Sequence, residues 1–211
     1  MKTIMFTLVL LASSIVLGQT PYQKAMKNAL DRWNQTESIE EFTAIANQFD
    51  RIAEKDSTAW EPKYYAILLR SIQGFYLPKE IAINAMDEVE EDYNKLLLLE
   101  DNSEIKILKG LFETVKISKD PMVYGRTLSA SISKTYAEAL EQNPNNPRAI
   151  YNLAQYEMGG AKYWGKDPKD SCPKVEKAIE LFKAEKNAKR QGFEPRWGLE
   201  EAQKLWDTTC K

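Results

Sequence analysis

The sequence ALEQNPNNPRAIYNLA, residues 139–154, holds the end of one predicted helix, a turn and the start of another helix. Asn146 is a preferred N-cap residue, and Pro147 fits a first helical turn because the N–H there has no intrahelical partner. After the turn, Ile150, Leu153 and Ala154 follow the spacing of one helix face. The segment therefore predicts a helix-turn-helix unit.

The same combination, helical spacing of apolar residues with a proline just ahead of it, recurs through the chain on both sides of this unit. Apolar residues recur with a helical period in segment after segment, and no convincing strand alternation appears. Asp120 is a second predicted N-cap, and Ser38 with Glu41 matches a capping box. Prolines stand just ahead of five periodic segments: Pro62, Pro121, Pro147, Pro173 and Pro195.

The predicted helices fall into four pairs of similar length. The first helices of the pairs are expected to begin near Ser38, Lys79, Pro121 and Pro173, and the second near Pro62, Ser103, Pro147 and Pro195. Repeated pairs of this kind stack into solenoids. We therefore predict an all-α fold over residues 19–211, a single domain built as a right-handed α-α superhelix, with a preceding helix over residues 21–33. The alternative is a helical bundle without repeats.

Local motifs resemble known repeat proteins. Residues 139–154 resemble the junction between tetratricopeptide repeats, with a small-Leu pair, an Asn-Pro turn and an aromatic-x-Leu-small helix. Residues 146–210 resemble the C-terminal part of small exported tetratricopeptide-like proteins of Bacteroidetes-type bacteria. The shared features are the Gly- and Lys-containing residues 159–166, the PRWGLEE segment at residues 195–201 and the closing Cys210. The resemblance implies a fold and a compartment but no reaction.

Residues 1–18 have the features of a secretory signal peptide. Lys2 supplies the positive start, an apolar run follows over residues 4–17, and Gly18 is a small residue ahead of the expected cleavage before Gln19. A membrane anchor and a buried helix are the alternatives, but the apolar run is shorter than the roughly 20 residues of a bilayer span. We expect an exported protein, periplasmic or secreted, with no membrane insertion after cleavage.

The amino-acid composition excludes several classes of function. The 211 residues include no histidine and carry a formal net charge of −2. Without histidine, the chain has no Ser-His-Asp triad and no imidazole base or ligand. The chain also lacks the excess of basic residues that is typical of proteins that bind nucleic acids. We therefore expect a non-enzymatic protein with no cofactor, no metal site and no nucleic-acid partner.

The two cysteines are expected to form a disulfide. Cys172 stands at the start of the first helix of the last predicted pair, and Cys210 stands at the end of the second. These two ends are neighbours in an antiparallel helix hairpin, and an exported compartment permits disulfides. Two unpaired thiols are the alternative, and the chain has no C-x-x-C spacing that favours redox chemistry.

Residues 159–170 are the most unusual segment. We predict a Gly-rich loop in which Lys162, Tyr163, Trp164 and Lys166 bind an anionic or glycan ligand through lysine contacts and aromatic stacking. The segment lacks the order of a phosphate-binding loop. The alternative interpretation, which we favour, is a connector whose aromatic side chains are buried against the last helix pair.

Two functions from different classes are compatible with these features. The first is a protein or peptide partner bound in a tetratricopeptide-like groove. The second is an envelope protein, possibly hydrolytic, that handles a glycan or small ligand around residues 159–170. Acidic residues at 80–92, including Glu88 and Asp92 on one helix face, are compatible with a cation site, but a solvated helix face is the expected interpretation. Exposed aromatic side chains over a pocket favour the second function, and buried ones favour the first.

Overall fold

The computed structural model describes residues 19–190 and 192–211, and every regular element in these ranges is helical. The helices are α1 (Pro21–Gln35), α2 (Glu41–Lys55), α3 (Glu61–Gly74), α4 (Lys79–Leu96), α5 (Ser103–Lys119), α6 (Pro121–Gln142), α7 (Pro147–Tyr163), α8 (Cys172–Asn187) and α9 (Leu199–Leu205). A 3₁₀ turn (Pro168–Ser171) precedes α8, and a π-helical turn (Trp206–Cys210) follows α9. The all-α prediction is confirmed. The predicted signal peptide, residues 1–18, lies outside the described residues.

Each helix packs against the next along the chain, and a second set of contacts links alternate helices. Helix α3 also packs on α5, and α5 also packs on α7, so these three helices form one row. Side chains buried between α1 and α5 make the larger core, and a second cluster lies between α7, α8 and α9. A third cluster, which includes Ile107 of α5 and Tyr136 of α6, lies between α5, α6 and the start of α7.

The predicted N-caps of α6 and α7 are confirmed. The Asp120 side chain accepts a hydrogen bond from the backbone N–H of Val123, and the Asn146 side chain accepts from the N–H groups of Arg148 and Ala149. The capping box at Ser38 is wrong. Helix α2 begins at Glu41 without a side-chain cap, because the Ser38 hydroxyl donates to the Glu40 carboxylate instead.

The predicted helix start at Pro195 is also wrong. Residues 193–198, which we call the strap, are not helical, and α9 begins only at Leu199. The strap ends at Gly198, whose φ of 107° lies in the left-handed region. A Cβ atom there would lie 2.6 Å from the ring of Phe182, so both the conformation and the close approach require glycine.

Contacts with distant helices hold the strap in place. The Trp197 indole N–H donates to the Tyr64 hydroxyl at 2.8 Å, and the Tyr65 hydroxyl donates to the carbonyl oxygen of Phe193 at 3.1 Å. Phe193 also meets the ring of Tyr22 edge to face, with 5.6 Å between ring centroids. These tertiary contacts override the local preference of Pro195 to begin a helix.

Arg148, buried at the start of α7, connects three helices and the strap. Its Nε lies 2.8 Å from the Glu104 carboxylate of α5, and its Nη1 lies 2.8 Å from the Glu185 carboxylate of α8. A further N–H group points at the carbonyl oxygen of Trp197. The paired carboxylates compensate for the burial of the guanidinium group.

Cys172 and Cys210 are joined in a disulfide, with 5.7 Å between their Cα atoms. The bond ties the start of α8 to the π-helical turn after α9. Residues 199–210 run back along α8. The two cysteines are therefore neighbours, as the predicted helix hairpin requires, although the last helix is shorter than expected.

We expect the double variant Cys172→Ser with Cys210→Ser to lose about 3–4 kcal/mol of unfolding free energy, since the open chain regains the entropy that a loop of this length removes. Urea unfolding followed by circular dichroism measures the loss. Wild-type protein under reducing conditions is the control and should match the variant. Equal stability of the variant and the oxidised wild type would show that the disulfide adds nothing.

In residues 19–190 and 192–211, no helix combines the length and the apolar character needed to cross a bilayer.

Candidate functional site

A cleft of about 600 Å³ lies between the C-terminal halves of α5 and α7 and the N-terminal half of α6. We call it the α5–α7 cleft. Its volume falls in the range of small-molecule sites, and its wall is mainly apolar. The lining residues are Thr114, Ile117, Ser118, Pro121, Met122, Gly125, Arg126, Ser129, Gln155, Tyr156, Gly159, Gly160, Tyr163 and Trp164.

The cleft exists because α6 is packed along only part of its length. The four buried residues of α6, from Ile132 to Ala139, all lie in its C-terminal half. The N-terminal half contacts α5 on one side and faces the end of α7 across open space. Met122, in the first turn of α6, is consequently exposed although it is apolar.

Three helical glycines widen the cleft. A Cβ atom at Gly125, Gly159 or Gly160 would meet no neighbouring heavy atom within 4 Å, so packing does not require glycine at these positions. Gly110 is the opposite case, because a Cβ atom there would lie 2.4 Å from the Tyr136 ring. Glycine inside a helix costs about 0.5–1 kcal/mol relative to alanine. The structural effect of the three glycines is therefore open space at the cleft wall.

Tyr163 and Trp164 form the aromatic edge of the cleft. Their rings meet edge to face, with centroids 5.0 Å apart and an interplanar angle of 88°. Tyr163 is 57% exposed and Trp164 is 73% exposed, so neither ring is buried against the last helix pair. The packed-connector interpretation of these two residues is therefore wrong.

The predicted loop is shorter than the sequence indicates. Helix α7 continues to Tyr163, so Gly159, Gly160 and Lys162 are helical. The helix ends where Gly165 adopts a φ of 66°. Helix continuation through the glycine pair places Tyr163 one turn beyond Gly159, on the face that looks into the cleft.

Hydroxyl groups in the cleft wall are already satisfied. Thr114 donates to the carbonyl oxygen of Gly110, Ser118 donates to that of Val115, and Ser129 donates to that of Gly125. The Tyr156 hydroxyl donates to the carbonyl oxygen of Ser129 at 3.4 Å, across the floor between α7 and α6. The wall therefore offers mainly apolar surface to a ligand.

The positive charges lie at the edge of this surface. Arg126 lines the cleft, whereas Lys162 and Lys166 are exposed beside the aromatic pair without lining it. In the part of the chain that the structure describes, none of the three makes an ion pair. They are available to an acidic ligand group.

The acidic run at residues 80–92 follows the solvent side of α4. Glu88 is exposed, Asp87 and Glu90 pair with Lys116 of α5, and Asp92 pairs with Lys95. Among the described residues, no group of three or more Asp, Glu or Cys side chains has the arrangement of a metal site.

The α5 and α6 walls were not anticipated from the sequence. Ile117, Met122 and Arg126 lie 38 to 47 residues before Trp164, and nothing in the local pattern brings them together. The available signal was Gly125, a helix-weakening residue inside a segment predicted to be helical.

In the described residues the fold is all-helical, and the α5–α7 cleft in it is mainly apolar. No family model and no curated protein matches the sequence. The chain is similar to the HusA haemophore from Porphyromonas gingivalis, with a TM-score of 0.77 and 28% sequence identity, over 90% of this chain and 93% of that chain. The similarity supports a small helical protein of the Bacteroidetes type, and it leaves the tetratricopeptide assignment as a prediction.

Proposed function

We propose that this chain is an exported, non-catalytic binding protein that takes a flat apolar ligand of the porphyrin class, haem included, into the α5–α7 cleft. The observation that carries the proposal is an apolar cleft opened by Gly125, Gly159 and Gly160 beneath an exposed aromatic pair. The similarity to a haemophore supplies the ligand class. The disulfide accords with export, since such bonds persist in oxidising compartments.

The chemistry of the cleft matches that of a porphyrin. The two faces of the macrocycle are apolar and aromatic, which suits Ile117, Met122 and the rings of Tyr163 and Trp164. Porphyrins of the haem type carry two carboxylates at one edge. Arg126 and the predicted binding residues Lys162 and Lys166 supply the cations that such carboxylates require.

The chain is expected to recognise the macrocycle more than the metal. It has no histidine, and both cysteines are in the disulfide. Met122, Tyr156 and Tyr163 are the remaining side chains of the cleft that can ligate iron, and the Tyr156 hydroxyl is already bonded to Ser129. We therefore expect haem and metal-free protoporphyrin to bind with affinities within about tenfold, roughly 1.4 kcal/mol.

The direct test is a titration of residues 19–211 with hemin and with protoporphyrin, followed by the absorbance of the porphyrin, a readout that does not depend on Trp164. Replacing Tyr163 and Trp164 together with alanine is expected to weaken binding of both ligands by about 10- to 100-fold, since each ring contributes apolar contact and stacking. Tyr76→Ala removes an equally exposed ring that does not line the cleft, and this control should bind like the wild type. Wild-type protein that binds neither ligand would refute the proposal.

We also propose that the helix pairs form the tetratricopeptide-like superhelix predicted from the sequence. Packing of each helix on the next, together with the α3–α5–α7 row, supports it. Under this proposal the small ligand occupies the α5–α7 cleft, and a protein or peptide partner in the repeat groove stays a separate prediction.

A further inference from the structure

Large apolar side chains are exposed at one end of the molecule. Within the described residues, eight such side chains are exposed, and two of them, Leu98 and Leu99, lie beyond the C-terminal end of α4. The other six we call the rim: Tyr76, Ile81, Met122, Val123, Tyr163 and Trp164. Three of the six also line the α5–α7 cleft.

Two contacts place the rest of the rim beside the cleft. The Lys79 ammonium group lies 2.5 Å from the Asp120 carboxylate, which joins the start of α4 to the start of α6. The Lys119 ammonium group donates to the carbonyl oxygen of Phe75 at 2.7 Å, which joins the end of α5 to the turn after α3. Tyr76 and Ile81 therefore belong to the same surface as Met122 and Val123.

The rim is made of protruding ends rather than of a flat helix face. Tyr76 follows the end of α3, Ile81 lies in the first turn of α4, and Val123 lies in the first turn of α6. Tyr163 ends α7, and Trp164 follows it. Separate apolar tips of this kind suit insertion between lipid headgroups, where Trp and Tyr are enriched.

The charges around the rim are mainly positive. The rim and its flanking residues span 76–81, 119–126 and 162–166. In these ranges of the described structure, four basic side chains and one acidic side chain make no ion pair. They are Lys119, Arg126, Lys162 and Lys166, and the acid Glu80. Asp120 is neutralised by Lys79, and this hydrogen bond lowers the pKa of the Asp120 carboxyl group. Two copies of a positive rim would repel each other, whereas an anionic surface attracts them.

We propose that the rim docks on an anionic lipid surface, with its apolar side chains among the headgroups and the mouth of the α5–α7 cleft facing the bilayer. Apolar insertion and cation–lipid attraction add to each other in interfacial binding of this kind. The docking needs no membrane-spanning helix. It rests on the rim itself and does not depend on which ligand the cleft takes.

Co-sedimentation of residues 19–211 with vesicles rich in phosphatidylglycerol tests the proposal. We expect the wild type to bind these vesicles, to bind phosphatidylcholine vesicles at least about tenfold more weakly, and to lose affinity as salt rises. The variant Ile81→Ser with Val123→Ser is expected to lose at least about tenfold in vesicle affinity. Neither residue lines the cleft, so hemin binding by this variant should stay at the wild-type level.

Leu98→Ser with Leu99→Ser is the matched control, because it removes two exposed apolar side chains away from the rim and should bind vesicles like the wild type. Equal vesicle affinity of the rim variant and the wild type would overturn the proposal, as would equal affinity for neutral and anionic vesicles. A concentration-dependent dimer that the rim variant abolishes, without vesicle binding, would instead assign the rim to a second copy of the chain. Loss of hemin binding with intact vesicle binding would refute only the proposed function.

Discussion

Replacing Arg148 with methionine is expected to lower the free energy of unfolding by about 3–5 kcal/mol, because the variant leaves two carboxylates partly buried without their cation. The Arg148 side chain is only 3% exposed, and it contacts Glu104 and Glu185 through four N–H···O hydrogen bonds. These bonds hold α5, α7 and α8 together at the end of the row that the strap covers. Methionine retains the approximate volume of the side chain, so the loss would report on charge and hydrogen bonding.

Urea unfolding monitored by circular dichroism measures this change. Arg126→Met is the control, since Arg126 is exposed and makes no ion pair in the described chain, and its effect should stay within about 0.5 kcal/mol. Arg148→Lys should fall between the two, because lysine keeps the charge but not the planar fork that reaches both carboxylates. A loss below about 1 kcal/mol for Arg148→Met would mean that the carboxylates find water or other partners.

Gly125→Leu is expected to reduce hemin affinity at least about 100-fold, which corresponds to roughly 2.7 kcal/mol. The leucine side chain would enter the open space that Gly125 leaves in the wall of the cleft. The same change should raise the stability of α6 by about 0.5–1 kcal/mol, since leucine favours a helix more than glycine does. Loss of binding together with a gain in stability separates a blocked site from a damaged fold.

Fluorescence titration gives the affinity of this variant, and thermal unfolding gives its stability. Ala137→Leu adds a leucine to an exposed position of the same helix outside the cleft, and it should bind hemin like the wild type. Wild-type affinity in Gly125→Leu would place the ligand elsewhere on the protein. The clefts beside the strap would then be the next sites to examine, and the one next to Trp33 and Trp197 has a volume of about 500 Å³.

The candidate site was only partly predictable. The lysines and glycines beside Tyr163 and Trp164 predict these aromatic residues as part of a binding site, and both line the cleft. Lys162 and Lys166 lie outside the lining, at its edge. Helix α6 supplies Met122, Gly125 and Arg126, and their place in the wall depends on how far α6 extends beyond its packed half.

The sequence by itself determined the helices and most of their starts. These features depend on short-range physics: the 3.6-residue period, the cap hydrogen bonds at Asp120 and Asn146, and proline in first turns. Tertiary structure alone decided the strap and the cleft. Residues 193–198 give up a local helix start for hydrogen bonds to Tyr64 and Tyr65, more than 120 residues away. The cleft opens because the N-terminal half of α6 buries no side chain between α5 and α7, and no local pattern encodes that relation.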